Sequence, residues 1–340
     1  MPVSPTTDPA PSPGATQWPR RRGSRPFCPL CGGLVGPGSL PVRENSDGPI
    51  DGDFAVRACA RCGLWFTDPQ PVGADLAGAY STGVYKQSGG RALRVVQRVL
   101  AVQDWLRLRR IARFRAPGLL LDVGCGKGRF LDSARRAGWT VVGVDPVLGQ
   151  VATARARYSV PVCVGDATSL PFEAGTFDVA TAWHCLEHSE SPLALLGEVV
   201  RVLKPGGLLV VEVPNSASWQ ARIGEAGWFH FDVPRHLFHF SPRSLSYALA
   251  EVGLRSVDLS TFGLEASFYG MLQSILNRAG QPPNWLFRWL KRSQPSSIGE
   301  GVSRLAVASV YLLPSALLEA AAIRAGAGGV LQSVSRKSAA

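Results

Sequence analysis

The sequence contains very little lysine. Lysine and arginine together number 36, yet lysine occurs only at five positions: Lys86, Lys127, Lys204, Lys291 and Lys337. The 25 acidic residues leave a formal net charge of +11. A GC-rich coding bias would explain the arginines without any structural meaning. The alternative is attraction to an anionic partner, such as nucleic acid, a lipid headgroup or a phosphorylated substrate.

An apolar run is missing from the N-terminus. The stretch "MPVSPTTDPAPSPGATQWP" is rich in proline, serine and threonine, so no secretory signal is visible. We expect residues 1–26 to be a disordered tail, because such a composition cannot bury a core. The expected location is therefore the cytoplasm, where thiols stay reduced.

A long uninterrupted hydrophobic run is also absent. The most apolar stretch, residues 305–321, contains Pro314 and Glu319, and its charge-free part is 14 residues long. A membrane-spanning helix needs about 20 apolar residues. We therefore expect residues 263–327 to form a buried helical insertion or cap. Peripheral contact with the inner face of a membrane is the second option.

Four of the seven cysteines form two Cys-x-x-Cys pairs, in "CPLCGG" (28–33) and "CARCGL" (59–64). Two such turns can point four thiolates at one ion, which suits structural Zn²⁺. A redox pair and disulfides are the alternatives. The sequence predicts a zinc-ribbon-like module over residues 27–70, which would need its metal to fold. The ligands would be Cys28, Cys31, Cys59 and Cys62.

Residues 71–116 are expected to form a connector followed by a basic helix. The segment 91–115 contains eight arginines and a single acid, Asp104, with apolar residues at near-helical spacing. We favour an amphipathic helix that packs on the main domain and leaves its arginines in solvent. Docking to an anionic surface is the alternative.

The pattern from residue 118 onward predicts a doubly wound, mostly parallel seven-stranded α/β sheet. A buried strand, Leu119–Val123, meets a glycine-rich turn and then a helical pattern. Glycines there let the backbone approach a ligand in front of a helix N-terminus. Strands and helices continue to alternate, which indicates a parallel sheet. The later strands are predicted at residues 139–145, 160–166, 177–183, 208–214 and 254–262, with 328–337 as a seventh, antiparallel strand.

Five motifs occur in the order typical of one family: "LDVGCGKG", "GVDP", "GDATSLPF", "FDVATAWHCLEH" and "LKPGGLLVVEVPN". The chain resembles the class I S-adenosylmethionine-dependent methyltransferases. The resemblance implies a Rossmann-like methyltransferase core in residues 117–262 plus 328–337, with S-adenosylmethionine as cofactor. Its methionine part would lie against Asp122 and the loop of Gly124, Cys125, Gly126 and Gly128. Asp145 with Pro146 would bind the ribose, Asp166 with Ala167 would contact the adenine, and Trp183 would also line the site.

The pentapeptide "HCLEH" (184–188) matches an inverted zinc-protease signature when it is taken alone. Its position after the fourth strand, at the edge of the sheet where ligands bind, argues against that function. Two interpretations remain. Glu187 and His188 cap and hydrogen-bond the loop beside the cofactor, or His184, Glu187 and His188 contact the acceptor or hold a divalent ion, together with His236 or His239. Related ubiquinone O-methyltransferases and small-RNA 2′-O-methyltransferases carry a similar Glu-x-x-Glu-His, with a glutamate where this chain has His184.

Residues 215–254 carry three of the five histidines and several aromatic residues. The part "PRHLFHFSP" (234–242) resembles the substrate-side segment of ubiquinone O-methyltransferases and deoxysugar C-methyltransferases. The favoured function is methyl transfer to an oxygen or carbon nucleophile of a small molecule, such as a sugar, a quinone-like compound or a lipid-linked intermediate. An RNA or protein methyltransferase is the second hypothesis. It rests on the basic charge and the ribbon, but no aromatic–basic RNA-binding motif stands out. A non-catalytic cofactor-binding subunit is the third.

Overall fold

A computed structural model describes residues 25–36, 38–42, 54–71, 91–290 and 298–339. The expected tail and connector fall almost entirely outside these residues. The strands are β1 Ser39–Val42, β2 Phe54–Ala58, β3 Trp65–Asp68, β4 Leu119–Val123, β5 Thr140–Asp145, β6 Val162–Val164, β7 Phe177–Trp183, β8 Leu203–Pro214, β9 Phe238–His239, β10 Leu254–Ser260 and β11 Val330–Lys337. The helices are α1 Arg91–Ala112, α2 Arg129–Arg136, α3 Leu148–Tyr158, α4 Pro192–Val202, α5 Trp219–Gly224, α6 Pro242–Glu251, α7 Leu264–Arg278, α8 Trp285–Leu290 and α9 Ile298–Arg324.

Seven strands form the large sheet, in the order β10-β11-β8-β7-β4-β5-β6. The pairs from β8 to β6 are parallel, and β11 runs antiparallel to both of its neighbours. The central strands are apolar and buried, as expected for a sheet covered by helices on its faces. The predicted fold class is confirmed, including the antiparallel last strand. The largest difference in a strand boundary is at β8, which already begins at Leu203, within the predicted turn "LKPGG".

The four-cysteine module is completed by a strand from the later part of the chain, which also forms the large sheet. Its antiparallel sheet has the order β1-β2-β3-β9, and β3 pairs with β9 through Trp65 opposite His239 and Phe66 opposite Phe238. Leu64 and Phe66 are fully buried in the same hydrophobic cluster as the interior of the large sheet. The module and the large sheet therefore share one core, which the sequence did not reveal.

Helix α9 differs from the expected buried cap. It continues through Pro314, and within it Leu305–Arg324 is the one stretch of the described chain that is long and apolar enough to cross a membrane. Only 22% of that stretch is buried. Its buried side chains, which include Ala308, Ser315, Glu319 and Ala322, are mostly small, and α9 packs on α7. The buried cap was the wrong expectation for this helix, because its acid faces inward while its leucines face outward.

Candidate functional site

The glycine turn after β4 has a left-handed backbone at all three glycines: φ is +71° at Gly124, +53° at Gly126 and +77° at Gly128. A Cβ on Gly128 would lie 2.8 Å from Cβ of Ala154, and a Cβ on Gly124 would lie 2.9 Å from Sγ of Cys185. A Cβ on Gly126 would meet no atom within 4 Å. Two of the glycines therefore permit close packing, whereas Gly126 borders open space that a ligand can enter.

Two acids at the ends of neighbouring strands face this turn. Asp145 accepts hydrogen bonds from the backbone N–H of Gly126 and of Val147, each at 2.9 Å and on a different oxygen. Each carboxylate oxygen keeps a second lone pair, which a ribose hydroxyl could use. Asp122 is buried and accepts a 2.7 Å hydrogen bond from Thr181 Oγ1. Burial raises the pKa of the Asp122 carboxyl to about 7 and also raises that of Asp145.

The remaining predicted cofactor residues lie around the same turn or strand ends. Asp166 is exposed, and its Oδ1 accepts from the N–H and the hydroxyl of Thr168 at 2.8 and 2.9 Å. The indole of Trp183 contacts the edge of Phe130 and lies under the guanidinium of Arg107 at 4.2 Å. Its buried Nε1 has no hydrogen-bond partner among the described residues. Cys125 is buried, Pro146 is exposed and Ala167 is half-buried.

The "HCLEH" segment is a tight turn, with a single turn of 3₁₀-helix at Leu186–His188 and a left-handed backbone at His184. His184 directs Nδ1 to Glu187 Oε1 at 3.1 Å and Nε2 to Glu212 Oε1 at 3.2 Å. Burial lowers the pKa of His184, but the two carboxylates outweigh it and raise the pKa to about 10. His184 is thus an imidazolium between two acids. A zinc-protease helix would instead present both histidines on one face.

Glu212 in β8 holds His184 in place from the side opposite Glu187, and it was not predicted from the sequence. It accepts from Gln332 Nε2 at 2.9 Å and contacts the guanidinium of Arg107. Burial alone would raise the pKa of Glu212, but Arg107 and His184 hold it at about 2. The sequence feature that could have indicated Glu212 is its position as a single acid inside the apolar strand "LLVVEVP". Arg107 itself is buried, which contradicts the expectation that the arginines of α1 all lie in solvent, because a buried carboxylate requires a cation.

Glu187, His188 and His236 come together although 48 residues separate the last two. One donor atom from each lies within 4.8 Å of the others. Nδ1 of His188 is 3.0 Å from the Arg235 carbonyl, and Nδ1 of His236 is 2.7 Å from that of His230. Carbonyl oxygens only accept, so both Nδ1 atoms carry a hydrogen, and in the neutral form of each ring the lone pair is on Nε2. Oε2 of Glu187 is buried and has no hydrogen-bond partner in the described chain.

His239 lies apart from that cluster. Its Nε2 is 3.3 Å from Thr67 Oγ1, and burial lowers its pKa to about 3. Of the two alternatives in the sequence, His236 and His239, the structure therefore brings only His236 to Glu187 and His188.

Strand β3 of the cysteine module supports the segment that carries His236. The hydroxyl of Thr67 donates to the His236 carbonyl at 2.7 Å, and the Thr67 N–H donates to the Leu237 carbonyl at 3.0 Å. Gln70 Nε2 donates to the same Leu237 carbonyl at 3.0 Å. On its other side, Leu237 N–H donates to the carbonyl of Glu187 at 2.8 Å. The module thus fixes the position of His236 relative to Glu187.

The four predicted metal ligands lie together. The sulfur of Cys28 is 3.6 Å from that of Cys62, and Cys31 is 3.5 Å from Cys59. These distances are far longer than a disulfide bond of about 2.05 Å. They approach the edge of about 3.8 Å that a tetrahedron with metal–sulfur bonds of about 2.3 Å would have. The four thiolates can hold one metal ion.

Comparisons with known proteins find relatives of the central part of the chain. The family model described as a methyltransferase domain matches residues 96–259. The chain is 39% identical to a demethylmenaquinone methyltransferase of Renibacterium salmoninarum, over 32% of this chain and 46% of that protein. It is 32% identical to a ubiquinone biosynthesis O-methyltransferase of Xanthomonas axonopodis pv. citri, over 42% of this chain and 64% of that protein. The chain thus spans less than two thirds of the length of these relatives.

A solved SAM-dependent methyltransferase from Archaeoglobus fulgidus is 22% identical and superimposes with a TM-score of 0.45, over 70% of this chain and 94% of that one. The sequence matches, together with the glycine turn and the acids at the strand ends, identify the central part of the molecule. Residues 96–259 of this chain form a methyltransferase domain.

Proposed function

We propose that the protein transfers the methyl group of S-adenosylmethionine to an oxygen or carbon nucleophile of a small molecule. The open space in front of Gly126, with Asp145 beside it, carries the cofactor part of the proposal. The bound cofactor would supply a reactive sulfonium methyl group. The task of the protein is then to orient the acceptor in line with that methyl and to exclude water.

The cluster of Glu187, His188 and His236 supports acceptor chemistry next to the cofactor. Cys185, in the same "HCLEH" segment as Glu187 and His188, packs against the glycine turn, since a Cβ on Gly124 would lie 2.9 Å from its Sγ. Both imidazoles are held by backbone carbonyls, so their Nε2 atoms can accept the proton of a hydroxyl or ligate a divalent ion. We assign His188 and His236 to the acceptor side, with Glu187 as the third donor. His184, engaged on both nitrogens, holds the two carboxylates in position.

The relatives favour a ring-bearing, weakly polar acceptor. One is named for demethylmenaquinone and another for ubiquinone biosynthesis. We therefore propose quinone-like compounds as the first acceptors to test, with sugars and lipid-linked intermediates next.

The deciding experiment supplies S-adenosylmethionine with a labelled methyl group to the intact protein and a cell extract. The labelled product is then identified by mass spectrometry. His188→Ala should abolish labelling while the Kd for S-adenosylmethionine, measured by calorimetry, changes less than about threefold. If labelling survives this substitution, the turn only shapes the pocket. Label on RNA or protein would favour the second hypothesis, and binding without any labelled product would favour a non-catalytic subunit.

We also propose that the four-cysteine site holds Zn²⁺, which prefers four thiolates at these distances. Metal analysis of the purified protein tests both sites. Cys59→Ser should remove the zinc. A second equivalent of metal that disappears in His236→Ala would assign a divalent ion to the histidine cluster, and its absence in the wild-type protein would leave the histidines as proton acceptors.

A further inference from the structure

The exposed face of α9 is unusually apolar for a protein surface. Between Leu305 and Ala321 the sequence has a single charged residue, Glu319, which is fully buried and accepts hydrogen bonds from Gln220 Nε2 and from the Gly329 N–H. The outward side chains of this stretch are uncharged, over a length of about 25 Å. The large apolar ones are Leu305, Val310, Leu312, Leu313, Leu317 and Leu318, which are 36–70% exposed.

Helix α1, which also packs on α7, exposes aromatic and cationic side chains. Both α1 and α9 pack on α7. Helix α1 exposes Val102, Trp105 and Arg109, and Arg113 is exposed in the turn that follows it; the only acid of the helix, Asp104, is buried. The guanidinium of Arg109 lies 4.7 Å above the Trp105 ring. Tryptophan and arginine side by side on a helix surface are typical of the headgroup region of a bilayer.

The same end of α1 borders a cavity of about 300 Å³ lined by four arginines: Arg107, Arg109, Arg110 and Arg113. Arg107 pairs with Glu212, and Arg110 pairs with Asp258 at 2.7 Å. Among the described residues, neither Arg109 nor Arg113 takes part in an ion pair. Two positive charges at the cavity are therefore uncompensated, which suits an anionic group such as a phosphodiester.

We propose that α9 docks this protein onto the surface of an anionic phospholipid bilayer, with the arginine cavity of α1 binding lipid phosphates. The helix is held to the protein along one side by α7, so it lies in the interface and does not span the membrane. A second copy of the chain fits less well, because a net charge of +11 repels a copy of itself and attracts anionic lipid. The proposal does not depend on the methyl-transfer activity, and of the cavity arginines only Arg107 also contacts a residue of the functional site, Glu212.

Sedimentation of the full-length protein with vesicles tests this. One set contains phosphatidylcholine alone, and the other an equimolar mixture with phosphatidylglycerol. We expect binding to the mixed vesicles and weaker binding to the neutral ones. Leu313→Glu with Leu317→Glu should weaken binding to both sets at least tenfold, because two charges enter the apolar face. Arg109→Gln with Arg113→Gln should reduce binding to mixed vesicles to the level of neutral ones.

Matched controls separate surface chemistry from folding. Leu34→Glu with Leu259→Glu changes two leucines that are exposed elsewhere, and Arg157→Gln with Arg255→Gln removes two exposed charges away from α1. Both controls should bind vesicles like the wild-type protein, and all variants should retain their affinity for S-adenosylmethionine. The proposal is overturned if the wild-type protein stays in the supernatant with both vesicle sets. It is also overturned if the glutamates leave vesicle binding unchanged, or if they only convert a dimer to a monomer in analytical ultracentrifugation.

Discussion

Single glycines in the turn after β4 have separable roles. Gly128→Ala would place a methyl group 2.8 Å from Ala154 Cβ on a backbone with φ of +77°, so we expect it to destabilise the protein by about 3 kcal/mol. Gly126→Ala meets no neighbour and should cost only about 1 kcal/mol of backbone strain. Its methyl group points into the cofactor space, so affinity for S-adenosylmethionine should fall at least about tenfold. Urea unfolding and calorimetric titration measure the two effects.

The pair is its own control. Gly128→Ala should mainly lower the free energy of unfolding, and Gly126→Ala should mainly lower the affinity for S-adenosylmethionine. Equal losses of stability in both variants would mean that Gly126 has no special relation to a ligand.

A half-buried carboxylate at the start of β7 contributes a pH-dependent part of the free energy of unfolding. Asp178 accepts from the Leu119 N–H, from Lys204 Nζ at 3.0 Å and from Arg115 at 2.7 Å. Burial raises the pKa of Asp178, but these three donors outweigh it and lower the pKa from 3.8 to about 2. The ionised form is thus favoured in the folded state, which contributes about 2 kcal/mol above pH 4 and loses that contribution as the pH falls towards 2.

Asp178→Asn should therefore lower the free energy of unfolding by about 2 kcal/mol at pH 7, and the difference from the wild-type protein should shrink below pH 4. Urea unfolding at a series of pH values from 3 to 7 measures it. Asp132→Asn is the comparison, since Asp132 pairs with the exposed arginines Arg135 and Arg136 and should cost under about 1 kcal/mol. A pH-independent loss in Asp178→Asn would contradict the assignment.

At the level of residues, the sequence was sufficient to predict the site residues that belong to a short local motif. The glycines, Asp145 and the four cysteines each belong to a short motif whose spacing dictates its geometry. Glu212 and Arg107 could not be paired from the sequence, because 105 residues separate them and only the packing of α1 against β8 brings them together. The same holds for the choice of His236 over His239, because these two histidines lie only three residues apart in the chain.

At the level of elements, the contact between β3 and β9 links the cysteine module to the segment that carries His236. Strand β9 has only two residues, too few to be recognised from alternation of apolar and polar residues. Its partner strand lies more than 150 residues earlier in the chain, as the 169-residue separation of Thr67 and His236 shows. The parallel strands were predictable because each repeats the same strand–helix pattern, whereas this pairing rests on tertiary contacts alone.

Thr67 is the residue that tests this link. Thr67→Val removes the hydroxyl that donates to the His236 carbonyl while it keeps the backbone pairing of β3. We expect kcat for methyl transfer to fall about tenfold as His236 loses its fixed position, with the Kd for S-adenosylmethionine unchanged. Single-turnover kinetics with labelled cofactor, together with calorimetry, make the measurement.

Thr153→Val is the matched control, since the Thr153 hydroxyl bonds only within α3, to the Gly149 carbonyl at 2.8 Å. It should leave both quantities unchanged. Equal activity in Thr67→Val and the wild-type protein would show that the module does not position His236.

At the level of the whole molecule, the cysteine module and the large sheet share one hydrophobic core. Cys28, Leu64 and Phe66 belong to the same buried cluster as Leu121, which lies in β4. A module with its own separate core would unfold by itself, whereas elements that share a core unfold together. The sequence suggested a separate module over residues 27–70, because the cysteine pairs lie within that range and nothing in it marks the shared core.

Removal of the proposed zinc ion should therefore destabilise the entire protein. We expect one calorimetric transition in the wild-type protein, and a strong zinc chelator should shift that single transition down by roughly 5–10 °C, since metal binding contributes to the stability of the common core. Affinity for S-adenosylmethionine should be lost at the same temperature as the near-ultraviolet circular dichroism. Chelator saturated with zinc beforehand is the control and should have no effect. A chelated protein that loses a small separate transition, while its main transition stays in place, would show that the shared core does not couple the module to the methyltransferase domain.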